Sequence, residues 1–136
     1  MGMVLWANTL IEGKVSTDEN DKFALYKHSD KLDKLSKQFD ILQLSSLHDF
    51  TDMKWNMLDD DLPNGIESTT DLMAQEGIWV SGDEAVKVLE SLLNLLTNDE
   101  VEVADRDEIF QELEESLVYA KKAKEQNGKF NYSVVM

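Results

Sequence analysis

Ser81-Gly82-Asp83-Glu84-Ala85-Val86-Lys87-Val88-Leu89-Glu90-Ser91-Leu92-Leu93-Asn94-Leu95-Leu96-Thr97 is the stretch on which the fold turns. It opens with a capping box: the Ser81 hydroxyl can accept from the third helical N–H while Glu84 reaches back to the cap. Stepped at about 100° per residue, Ala85, Val86, Val88, Leu89, Leu92, Leu93, Leu95 and Leu96 share one arc of about 180°. Lys87, Glu90, Ser91, Asn94 and Thr97 share the other. A helix apolar over half its cylinder belongs at the centre of a core. Ile78-Trp79-Val80 just before it reads as a short strand feeding the cap.

Downstream, Asp105 and Glu108 repeat the box in aspartate form and predict a second helix. Its stripe of Ile109, Phe110, Leu113, Leu117 and Ala120 is narrower, about 100°, as in a helix lying on a surface. Acids crowd its first half and Lys121, Lys122 and Lys124 its last turns, which suits the helix macrodipole. Asn127-Gly128 supplies a left-handed stop, and Lys129 to Val134 then alternates polar and apolar as a half-buried strand does.

Upstream, Val4 to Ile11 reads as a strand and Ser29 to Phe39 as a helix, with Leu32, Leu35 and Phe39 inward and Lys31, Lys34 and Lys37 outward. Ser46 to Leu58 suits a helix through Leu47, Trp55 and Leu58, and Asp59 to Gly65 has loop chemistry. Trp6, Trp55 and Trp79 are expected in the core. The expected fold is α+β: three or four helices on a small, largely antiparallel sheet with strands near 3–11, 77–80 and 129–135. At 136 residues a single domain spanning 1–136 is expected.

Composition narrows the function classes. The chain has no cysteine, which removes disulfides, thiolate zinc sites, iron–sulfur clusters and cysteine nucleophiles. Met1 to Asn8 lacks a basic leader, and Trp6 stands where a myristoylation signal needs Ser or Thr, so a cytoplasmic protein is expected. No apolar run approaches the roughly 18 residues of a membrane span. The formal net charge is −15, and its placement is uneven. Residues 55–118 hold only Lys87 and Arg106 against eighteen acids, while residues 119–136 hold four Lys against Glu125. Such a field repels nucleic acid and anionic lipid, so neither is expected as a partner.

Candidate chemistry is sparse. Asp59-Asp60-Asp61 with Asn64 and Glu67 hints at a calcium loop, but either EF-hand register places Pro63 at a ligand position. His28 neighbours Asp30 and His48 neighbours Asp49, without the spacing of a metal pair. The glycines are isolated, so no phosphate loop is present, and Asp83 and Glu84 already occupy the N-terminus after Gly82. No cofactor and no metal are expected.

Met1-Gly2-Met3, the stretch Trp79 to Val86, and the run from Leu117 to Ala123 through Gly128 into a final strand resemble the YfbM-like bacterial family of unknown function. Its members begin Met-Gly-Met, carry a capped helix of Pro/Gly-Glu-Glu-Val type and end in an Ala-rich helix running into an apolar strand. The resemblance implies a compact bacterial α+β domain and no particular activity.

Two functions follow as expectations. The first is a non-enzymatic interaction or inhibitory module of immunity type. It would engage a basic protein partner through the acidic face Glu100, Glu102, Asp105, Asp107, Glu108, Glu112 and Glu115. The alternative is a small hydrolase or metal-dependent enzyme using His28 or His48 with Asp30, Asp49 or Asp59 to Asp61. That alternative requires the histidines and at least two acids to converge in one pocket.

Overall fold

The computed structural model describes residues 4–52, 68–98 and 101–135. The architecture is α+β, a five-stranded mixed sheet with five α-helices among the described residues. In chain order these are β1 (Val4–Ile11), β2 (Lys14–Lys22), α1 (Phe23–Lys27), α2 (Ser29–Gln38), a 3-10 turn (Leu44–Leu47) and β3 (His48–Asp49). They are followed by α3 (Thr69–Glu76), β4 (Val80–Ser81), α4 (Gly82–Leu96), α5 (Arg106–Glu125) and β5 (Lys129–Val135).

The last strand is central to the sheet. β5 runs antiparallel to β1 from Val4↔Val135 to Leu10↔Lys129. Its other edge takes β3 in parallel at His48↔Tyr132 and β4 antiparallel at Val80↔Phe130. β2 closes the far side as a hairpin with β1. Its turn residues Glu12 and Gly13 both have positive φ, 53° and 79°. That is the sense of a two-residue turn that matches strand twist. β2 has no counterpart in the sequence reading, because Lys14 to Lys22 is almost wholly polar and shows no apolar alternation.

One sheet face (Leu5, Ala7, Phe130, Tyr132, Val134) packs on α4 and α5. The central-helix expectation holds: Ala85, Val86, Val88, Leu89, Leu92, Leu95 and Leu96 are buried and Leu93 is half-buried against the same core. The Ser81 cap also forms, its Oγ accepting from Glu84 N at 3.2 Å. Gly82 is needed there, since a Cβ would run into the backbone of Ala123 and Lys124 in α5. The opposite sheet face is polar and buried. Thr17 Oγ1 donates to Asn8 Oδ1 (2.7 Å), Asn8 Nδ2 to Asn131 Oδ1 (2.8 Å), and Asn131 Nδ2 to the Ile78 carbonyl (2.8 Å). These bonds pair the buried amides of Asn8 and Asn131 with one another and with the backbone, which offsets their burial.

Several local expectations are corrected. Phe39 lies beyond the end of α2 and is exposed, because the helix stops at Gln38. Residues 44–49 form a 3-10 turn and a strand rather than a helix from Ser46. Trp55 and Leu58 fall outside the described residues, as does the Asp59 to Asp61 loop. Trp6 and Trp79 are half-buried, each held by its indole N–H: Trp6 on Asp21 Oδ1 and Trp79 on the Met73 carbonyl, both at 2.8 Å. Asn127, at φ 55°, takes the left-handed position expected near Gly128. Among the described residues, no helix is long and apolar enough to cross a membrane.

Candidate functional site

The acidic face begins where α5 begins. The box expected from Asp105 and Glu108 is not made: Asp105 sits at φ 56° and its side chain caps nothing. Its Oδ2 instead lies 2.8 Å from His28 Nε2 and 3.6 Å from Lys27 Nζ. The hydrogen bond with His28 is the main reason this carboxyl is held below its usual range; burial opposes it, and Lys27 adds a lesser lowering.

Glu112 is turned inward. Its Oε1 accepts from Leu25 N (2.9 Å) and its Oε2 from Ala24 N (3.3 Å), so it caps α1, whose own preceding residue offers no side-chain cap. Burial pushes this carboxyl up, outweighing those two hydrogen bonds and the attraction of Lys22. Glu115 Oε2 stands 3.3 Å from Lys22 Nζ. Lys22 is itself fully buried, its ammonium also held by Asp18 Oδ2 (2.8 Å) and the Asn20 carbonyl (2.9 Å).

Three of the expected face residues therefore have work inside the fold: Asp105, Glu112 and Glu115. Glu102, Asp107 and Glu108 are exposed and make no ion pair among the described residues, as does Glu114 beside them. Glu100 lies outside the described residues. A cleft of about 380 Å³ opens along this surface, lined by Asn20, Asp21, Glu108, Gln111, Glu112 and Glu115. Sequence reasoning missed Asp18, Asp21 and Lys22, because only the unforeseen β2 brings them beside α5.

The histidines part company. His28 is committed to Asp105, and the neighbouring Ser29 hydroxyl donates to the Tyr26 carbonyl (2.8 Å), so no nucleophile stands on that pair. Asp49 does not serve His48 either. It receives Thr51 N and Oγ1 (both 3.1 Å) and Ile78 N (2.8 Å), pinning β3 to the chain before β4. His48 lines a second cavity of about 400 Å³ with Tyr26, Lys27, Ser29, Asp30, Asp33, Ser45 and Phe50.

One histidine and two acids thus share this cavity, and His28 is not part of its lining. Burial holds His48 below its usual range, with Asp33 pulling the other way, so the ring is neutral near pH 7. Asp33 was recoverable from sequence: it follows Asp30 by three positions, on the same side of α2. Among the described residues no group of three or more His, Asp or Glu is placed to hold a metal. No protein-family model, curated protein or solved structure matches this chain.

Proposed function

We propose that this chain is a non-enzymatic, acidic interaction module of inhibitory or immunity type that binds a basic protein partner. The observation that supports it most directly is the exposed row Glu102, Asp107, Glu108 and Glu114. These carboxylates make no ion pair among the described residues, and one of them, Glu108, lines an acidic cleft. Exposed like charges in one region weaken a fold slightly and speed capture of an oppositely charged surface. The cleft is of a size to admit arginine or lysine side chains. The resemblance to the YfbM-like family at Met1-Gly2-Met3 and the capped helix at Ser81 is part of the same proposal and implies a small bacterial domain without a particular activity.

The test is capture of partners from native extract on tagged protein, washed at low and then high salt, alongside a variant with Asp107→Lys, Glu108→Lys and Glu114→Lys. Asp107 and Glu108 lie in the first turn of α5, where charge reversal costs some helix-dipole stability, so circular dichroism of the variant checks that it is folded. The reading expects one basic protein, bound stoichiometrically, released by salt and lost with the variant. A partner indifferent to both salt and charge reversal, or an empty eluate, would sink it.

A further inference from the structure

We propose that the cavity between α1, α2 and the His48–Phe50 segment is a binding site for the cationic head of a small organic amine, an alkylammonium or guanidinium group. The inference is independent of the interaction reading above, because it concerns a different surface. The cavity, at about 400 Å³, falls within the size range of small-molecule sites.

Its walls combine three kinds of group that suit such a ligand. Asp30 and Asp33 supply negative charge: Asp30 makes no hydrogen bond among the described residues, and Asp33 gives one oxygen to Ser45 N (3.1 Å). Tyr26 and Phe50 supply aromatic surface, which attracts cations over the ring face. Phe50 is 45% exposed, and it meets the His48 ring edge-on at 6.2 Å.

The third group is His48 itself. It is only 7% exposed, and its Nε2 has no hydrogen-bond partner among the described residues. A buried imidazole nitrogen left unpaired is costly, and such groups mark places where a partner is missing. Because burial keeps the ring neutral, it does not repel a cation. With the ring proton on Nδ1, Nε2 offers a lone pair to an N–H donor. Lys27, the one cation in the lining among the described residues, has its ammonium 3.6 Å from Asp105 Oδ2, so its charge is partly offset. An anion at the N-terminus of α2 would face both Asp30 and Asp33, and that disfavours it.

The experiment is a titration of the full chain with agmatine, which carries an ammonium and a guanidinium, followed through the His48 imidazole resonances and by calorimetry. Pentane-1,5-diol serves as the neutral control and inorganic phosphate as the anionic one. Saturable binding that shifts the His48 resonances, with no response to the diol, is expected. Asp30→Asn and Asp33→Asn should each weaken it by about tenfold or more, the worth of one charge-assisted hydrogen bond. Both keep an acceptor oxygen, and Asp30 is exposed, so the variants test the site without relying on His48→Gln being folded.

A glycine-flanked arginine peptide separates two sources of the same chemistry. Agmatine binding at least as tightly as the peptide points to a free amine, and the reverse points to a side chain of a partner protein. No saturable shift at His48, equal response to the diol, tighter binding of phosphate, or binding unchanged in both Asp variants would overturn the proposal.

Discussion

Glu112 Oε1 accepts the backbone N–H of Leu25 at 2.9 Å, so a residue of the acidic helix α5 closes the start of α1, 87 positions away in the chain. The carboxylate is therefore a structural cap as well as part of a charged surface. Glu112→Ala should cost about 0.5–2 kcal/mol, the usual worth of a helix N-cap. Urea unfolding would measure it, and no change in midpoint would mean that α1 does not depend on the cap.

The same carboxyl titrates in a defined direction. Its folded pKa is raised, so the folded chain holds more protons than the unfolded one from about 4.5 upward. The stability linked to that proton is fully present below the unfolded value and is lost as pH rises through the folded one. The stability difference between wild type and Glu112→Gln should therefore move in favour of the variant as pH is raised from 4 toward 7. A difference flat across that range would contradict the burial of this group.

His48 behaves in the opposite sense. Its folded pKa is depressed by burial, so the unfolded chain takes up the proton first as pH falls below about 6.5. Its contribution is present above that value and disappears as pH drops through the lower folded pKa. Unfolding free energies between pH 7.5 and 5 should fall more steeply for wild type than for His48→Gln. Equal slopes would show the ring to be solvated.

Lys22 is fully buried on Asp18, and Asp18 is nearly so. Lys22→Met should cost about 3–5 kcal/mol, because it strands a buried carboxylate. Adding Asp18→Leu should restore part of that loss, since an apolar pair of similar volume avoids the desolvation of both charges. Thermal unfolding of the two variants decides the point. A single substitution costing less than about 1 kcal/mol would place the pair among solvent-screened ones.

Leu89 and Leu93 lie on the same apolar arc of α4, but Leu89 is fully buried and Leu93 half-buried. Leu89→Ala should cost about 2–5 kcal/mol and Leu93→Ala clearly less. A cost at Leu89 below about 0.5 kcal/mol would remove α4 from the centre of the core.

Sequence alone determined the elements whose signals are local. The box at Ser81 and the half-cylinder of leucines after it defined α4, and the alternation from Lys129 defined β5. These rest on hydrogen bonds within one turn and on periodicity, both of which are written along the chain. The acid-rich segment around α5 was equally readable, because charge is a property of residue type.

Tertiary structure decided what each acid does. Pairing with β1 turned Lys14 to Lys22 into a strand despite its polarity, and that strand carries Lys22 and Asp18 to Glu115. Asp105 left its cap for His28, a partner 77 positions away, because a hydrogen bond across the fold competes with a local one. The cavity beside His48 gathers residues from α1, α2 and the start of β3, and the buried Nε2, unpartnered among the described residues, is a product of that packing. Burial and long-range pairing depend on the whole chain at once, which is why no window of the sequence displays them.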